Sequence, residues 1–261
     1  MSPMVDRSRV FGSVAEEYER FRPGYPSEVV DVITRYAGHE IRTAIESGAG
    51  TGKATRVLTA AGIRVLAVEP DEQMSAILRR VVDAQGDGDL LTVVHSRIED
   101  LQHHPGFVAG TTFDLLLAAA SWHWTRPETR WSVAAALLPH RGVFATIGGD
   151  VELADPDLRR REVELWARFN GNAHRPPNID DEDWPAGELR RSGLFHDLEV
   201  HTVSRTARRT REQVLGHLHT QSTWLILDAG ERAAFDAGYL EFLPDEAEYD
   251  ASLHIHLARR N

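Results

Sequence analysis

The chain has 261 residues, 42% of them hydrophobic and 26% charged, enough to bury the full core of one α/β domain with room for a lid. A formal charge of −11 disfavours nucleic acid or an anionic membrane as the main partner, because both select a basic face. With no cysteine, disulfides and thiolate metal sites are excluded; no leader-like segment or run of 18 apolar residues is seen, so the expected location is the cytoplasm.

Residues 1–10 carry no pattern. In residues 11–25, Phe11, Val14, Ala15, Tyr18 and Phe21 recur at helical spacing until Arg22-Pro23-Gly24 stops the helix. An aromatic and basic segment of this kind either packs on the core or closes over a ligand. Residues 27–37 read as the first core helix, with Val29, Val30, Ile33 and Tyr36 on its apolar side.

A short β-like run, Thr43-Ala44-Ile45, then leads into Glu46-Ser47-Gly48-Ala49-Gly50-Thr51-Gly52-Lys53, and residues 54–61 resume helical spacing. Glycines at alternate positions between a strand and a helix let the backbone turn sharply and let a ligand come close. A phosphate-cradling P-loop fails here twice. The residue five before Gly52 is Ser47, and Ala54 stands where a metal-binding hydroxyl belongs. A dinucleotide fingerprint requires glycine at position 53, which is Lys53. What remains is acid-x-Gly-x-Gly-x-Gly.

Residues 64–69 form the second strand, and Glu69 ends it 21 residues after Gly48, the spacing at which a carboxylate holds a ribose diol. Asp71 caps the following helix, whose apolar positions are Met74, Ile77, Leu78, Val81 and Val82. Residues 90–95 make a third strand. Residues 113–120 are continuously apolar after Asp114, as a central parallel strand covered on both faces requires. That run breaks into Ser121-Trp122-His123-Trp124 at the switch point of an open α/β sheet, where ligands bind. Thr125-Arg126-Pro127-Glu128 reads as a capping box for a helix through Leu138. Residues 142–148 are the fifth strand. Asp155-Pro156 opens a helix with Leu158, Leu165, Trp166 and Phe169 on one face, followed by a polar loop over 170–183. A sixth strand spans 194–205, capping boxes at Thr210-x-x-Gln213 and Asp228-x-x-Glu231 start two helices, and residues 252–259 alternate as a last, antiparallel strand. The paired histidines (103/104, 217/219, 254/256) form no set with carboxylates at ligand spacing, so no metal site is expected.

Residues 46–52, the phrase Glu69-Pro70-Asp71-x-x-Met74 and the phrase Phe113-Asp114-Leu115…Ser121-x-His123-Trp124 resemble the first, second and fourth motifs of the class I S-adenosylmethionine-dependent methyltransferases. The likeness is to the small-molecule type, similar to the trans-aconitate methyltransferase-like or type 11 group. It covers residues 11–147 well and the rest in outline. At the third strand it is partial, with Arg97 and Ile98 standing where that family places an aspartate and a small residue.

The resemblance implies a doubly wound, Rossmann-like α/β sheet of seven strands, the last antiparallel, with an N-terminal lid and an inserted helical cap. It implies a single domain: lid and first helix over 1–40, cofactor-binding core over 41–149, cap over 150–193, and C-terminal strands and helices over 194–261. The implied cofactor is S-adenosyl-L-methionine, held by Tyr18, Arg22, Glu46, Gly48, Ala49, Gly50, Gly52, Glu69, Pro70, Met74, Ile98, Glu99 and Ala119. Met74 serves equally as ordinary core. Tyr25, Trp124, Trp166 and His174 are the expected acceptor contacts, favouring an apolar or aromatic small molecule. His123 fits two roles, a general base or a hydrogen bond orienting the tryptophan loop. Two other readings stay open: a nicotinamide-dependent oxidoreductase, and a non-catalytic nucleotide binder of the same fold.

Overall fold

The computed structural model describes residues 11–149, 151–170 and 183–261. In chain order, α1 (Ala15–Phe21) and α2 (Glu28–Ala37) lead to β1 (Thr43–Ser47), α3 (Thr55–Ala60), β2 (Arg64–Val68), α4 (Glu72–Gln85), β3 (Leu91–Val94) and β4 (Leu115–Ala119). Next come α5 (Arg130–Ala136), β5 (Val143–Gly148), β6 (Glu152–Leu153), α6 (Pro156–Asn170), α7 (Ala186–Ser192) and β7 (Phe195–Val203). The chain closes with β8 (Thr206–Thr210), α8 (Arg211–Leu218), α9 (Ser222–Leu225), α10 (Ala229–Leu240), β9 (Glu246–Asp250) and β10 (Leu253–Arg260). These elements fall into a large unit (Pro23–Gly148, Pro177–Val203, His254–Asn261) and a small unit (Met1–Arg22, Gly149–Pro176, Ser204–Leu253).

The large unit holds a seven-stranded sheet in the order β3-β2-β1-β4-β5-β10-β7. Strands β1 to β5 pair in parallel, and β10 runs antiparallel to β5. The order reverses between β1 and β4, which opens a crevice at their carboxyl ends. The apolar run of β4 is buried through Ala118, as the sequence requires of a strand covered on both faces. One face packs Ile45, Leu116, Trp122, Trp131, Phe144 and Phe195 into a common core, each large side chain contributing about 1.5–3 kcal/mol of burial.

The helix after β4 does not start as a Thr125 capping box. The Thr125 hydroxyl instead donates to the Trp122 carbonyl at 2.6 Å, closing a tight turn, and α5 begins only at Arg130. Arg130 is fully buried, with its guanidinium paired to Glu188 of α7; Trp131 Nε1 donates to the same carboxylate at 2.8 Å. That pair ties α5 to α7.

The small unit carries a three-stranded antiparallel sheet in the order β6-β9-β8, which no local pattern in the sequence announces. Both predicted capping boxes form, at Thr210 for α8 and at Asp228 for α10. Asp155 Oδ1 accepts from the N–H groups of Asp157 and Leu158 at 2.8 and 3.1 Å, starting α6 as expected. The core of this unit gathers Leu153, Leu165, Trp166, Phe235 and Tyr239. Helix α1 docks on α8: the Phe21 ring lies against Gly216, where a Cβ would meet ring carbons at 2.4–2.5 Å. Arg20 pairs with Glu212 at 2.8 Å. The segment expected as one cap over 150–193 is thus divided, β6 and α6 belonging to the small unit and α7 to the large one.

Candidate active site

The loop between β1 and α3 turns through three glycines with left-handed φ: 64° at Gly48, 57° at Gly50 and 85° at Gly52. Their surroundings differ. A Cβ on Gly48 would sit 2.7 Å from Ser121 Cβ, because the Ser121 hydroxyl donates to the Ser47 carbonyl at 2.5 Å and draws the ends of β1 and β4 together. A Cβ on Gly52 would collide with Leu78 Cδ1 at 2.3 Å, so this glycine lets α4 pack close. A Cβ on Gly50 would meet nothing within 4 Å. The middle glycine therefore faces open space, and its backbone is the surface that a ligand can approach.

Glu69 lies beside it. Its Oε2 accepts from the Gly50 N–H at 2.7 Å and its Oε1 from the Asp71 N–H at 2.9 Å. The residue is 6% exposed, and burial pushes its carboxyl up to about 7 against the pull of the two backbone hydrogen bonds. Glu46, on β1, is buried completely; burial pushes its carboxyl up to about 8, opposed by a hydrogen bond from the Thr55 hydroxyl at 2.5 Å and reinforced by Glu69. Each oxygen of Glu69 keeps a lone pair beyond its backbone bond, enough to accept from two vicinal hydroxyls.

The other predicted cofactor residues distribute as follows. Asp71 caps α4 through the N–H groups of Gln73 and Met74 at 2.9 and 3.0 Å, which places buried Met74 in the first turn behind half-buried Pro70. Ala49 is buried as its N–H crosses the end of β2 toward the Val68 carbonyl. Ala119 ends β4, paired with Ile147, and the next residue, Ala120, holds a left-handed φ of 52°. Ile98 is core, while half-buried Glu99 accepts from the Arg126 N–H at 2.6 Å and links the turn after β3 to the loop after β4.

The Ser121–Trp124 stretch splits its aromatics. Trp122 is core, packed on Trp131 and Phe144. His123 and Trp124 stay half-buried, their rings 4.7 Å apart, with Trp184 at 6.4 Å from His123. No local sequence signal marks Trp184, Ser121 or Thr55 as site residues: Ser121 stands beside more conspicuous aromatics, and Thr55 is an unremarkable helix position.

Tyr18 and Arg22 lie in the small unit. The Arg22 guanidinium sits 5.2 Å from the Tyr18 ring and donates to Thr220 through Nε and Nη2, both at 2.9 Å. Trp166 is 3% exposed and packs 4.1 Å from Phe235, so its ring belongs to the core of that unit. Tyr25 is half-buried, and His174 lies outside the described residues. Among the described residues no group of three His, Asp or Glu side chains is placed to hold a metal ion, and no helix is long and apolar enough to cross a membrane.

Residues 45–146 match the model of the methyltransferase domain family. An uncharacterized methyltransferase of Mycobacterium tuberculosis is 35% identical over 122 residues, 47% of this chain and 44% of the relative. The chain thus spans less than half the length of the curated relatives it matches. Among solved structures, a candidate type II methyltransferase from Anaeromyxobacter dehalogenans gives a TM-score of 0.63 at 22% identity, over 92% of this chain and 98% of that one. Phosphoethanolamine N-methyltransferase 2 of Haemonchus contortus, solved with phosphomonomethylethanolamine and S-adenosylhomocysteine, gives 0.57 at 14% identity, over 98% of this chain and 59% of that one. Likeness at these identities shows the fold.

Proposed function

Since residues 45–146 match the methyltransferase domain family, we propose that this chain is a class I S-adenosylmethionine-dependent methyltransferase that transfers a methyl group to a small-molecule acceptor, releasing S-adenosylhomocysteine. The observation that carries the reading is the open face of Gly50 beside the Glu69 carboxylate. The site fits the cofactor: a left-handed glycine turn that a side chain would fill, next to an acid with acceptor capacity to spare. In this reading Glu69 takes the ribose hydroxyls, and the backbone of residues 48–52 meets the methionine portion. Pro70, Met74, Ile98, Glu99 and Ala119 line the remainder, with Glu46 beneath the loop.

When bound, the cofactor supplies a methyl already activated as a sulfonium. The protein's task is then orientation, worth up to about 7–11 kcal/mol of barrier. His123, half-buried at the carboxyl end of β4, takes a proton from acceptors that must lose one, or else orients Trp124. The rings of His123, Trp124 and Trp184 favour an apolar or aromatic acceptor, with Tyr25 as a further proposed contact, whereas Trp166 is taken up by the core of the small unit. Cytoplasmic residence belongs to the same proposal and rests on the cysteine-free composition.

Calorimetry with S-adenosylhomocysteine, S-adenosylmethionine and NAD tests it. Binding of the first two and not NAD supports the reading. Binding NAD alone would return the oxidoreductase alternative. An acceptor screen following S-adenosylhomocysteine release separates an enzyme from a non-catalytic binder of the same fold.

A further inference from the structure

In the small unit, β8 alternates two arginines across its faces. Arg208 points outward and meets Glu246 at 4.0 Å, opposite Glu248 in register. Arg209 turns to the other face, opposite buried Ala247 and 5.9 Å from the ring of buried Tyr249. A charge on the covered face of a sheet calls for a counter-charge. Arg209 has none among the described residues. Its Nη1 donates to Nδ1 of His217 at 3.0 Å, and an imidazole nitrogen that accepts from a guanidinium is unprotonated.

Arg22 is in the same position. Its two hydrogen bonds go to the hydroxyl and carbonyl of Thr220, whose hydroxyl in turn donates to the His217 carbonyl at 2.6 Å. Both guanidiniums are therefore tied to one turn at the carboxyl end of α8, through His217 and Thr220, and neither has a carboxylate partner among the described residues. Burial lowers Arg209 first, and the fields of Arg22 and Arg205 lower it further. His217, 7% exposed, is held well below its ordinary range by burial and then by Arg22 and Arg209. Among the described residues this positive cluster has no paired acid, in a chain with 40 acidic and 29 basic residues. Arg22 uses two of its five N–H groups in these bonds and Arg209 one.

We propose that Arg22 and Arg209 form an oxyanion-binding site in the small unit, taking a carboxylate or phosphoryl group of a small molecule. Forked guanidinium donors match paired oxygens, and one anion answers both unpaired charges at once. The inference does not rest on methyl transfer, because every residue it uses lies in the small unit and binding alone reads it.

The test titrates the full chain with citrate, with inorganic phosphate and with chloride at matched ionic strength, following the His217 imidazole resonances by NMR. The expected result is a saturable shift with citrate, phosphate or both, and none with chloride. In Arg209→Gln that binding weakens about tenfold or more. Citrate as the tighter probe assigns a carboxylate ligand, and phosphate a phosphoryl one. A His217 signal that follows ionic strength alone overturns the proposal, as does undiminished binding in a folded Arg209→Gln protein. If that variant does not fold, the wild-type titration decides by itself.

Discussion

The backbone N–H of Gly50 donates to Oε2 of Glu69 at 2.7 Å, joining the middle of the glycine loop to the end of the next strand. Loop and acid are thereby set in register by the protein alone, and a ligand entering there meets a preorganised pair.

Glu69→Ala removes both the proposed ribose acceptor and the tether on Gly50. Cofactor affinity should fall by roughly ten- to a hundredfold, from losing about 1.5–3 kcal/mol of charge-assisted hydrogen bonding. Calorimetry with S-adenosylhomocysteine reads this directly. Unchanged affinity would remove Glu69 from the ribose role.

The glycines should separate folding from binding. Gly50→Val places its side chain in open space, so the protein should fold, with a cost of about 1–2 kcal/mol for the left-handed φ. Its cofactor binding should be lost. Gly52→Ala drives a Cβ into Leu78 and should lower the urea midpoint more than Gly50→Val does. A Gly50→Val protein that binds S-adenosylhomocysteine normally is incompatible with the site.

The buried acids impose a pH dependence. Glu46 and Glu69 titrate near 8 and 7 in the folded chain, chiefly because of burial, against an ordinary value of 4.5. Between those values the folded state holds protons that the unfolded chain has released. Their contribution is complete below pH 4.5 and is lost as pH rises through 7 to 8. Stability of the ligand-free protein should drop by at least about 1 kcal/mol from pH 5 to pH 8, the worth of one pKa unit in one group. Glu46→Gln should flatten the slope. A urea midpoint that rises over this range contradicts the assignment.

His123→Ala should lower turnover far more than it lowers cofactor affinity. As a general base its loss costs about 10²–10⁴-fold in rate. A merely orienting His123 would cost less and would leave the pH–rate profile in place. Wild-type turnover in the variant would reduce the residue to packing.

Parts of this protein were legible because the constraint is local. Gly48, Gly50 and Gly52 are imposed by left-handed φ within one turn, Glu69 by the length of one strand and helix, and the caps at Asp71, Thr210 and Asp228 by hydrogen bonds spanning two or three residues. The buried run of β4 announces a central strand by composition alone.

What depends on distant partners had to come from the tertiary structure. Thr125-x-x-Glu128 has the same local form as the boxes that do cap, yet a neighbouring carbonyl takes the Thr125 hydroxyl. Trp166 has the ring that a pocket or a core would use equally, and only its packing on Phe235 separates the two. Ser121 earns its position from Ser47, 74 residues away. The sheet of β6, β8 and β9 pairs segments some 40 to 100 residues apart, and the same pairing turns Arg208 outward to an acid and Arg209 inward, where no acid among the described residues pairs with it. Alternation along a strand states that two faces exist; only the partner across the ladder decides which face is covered.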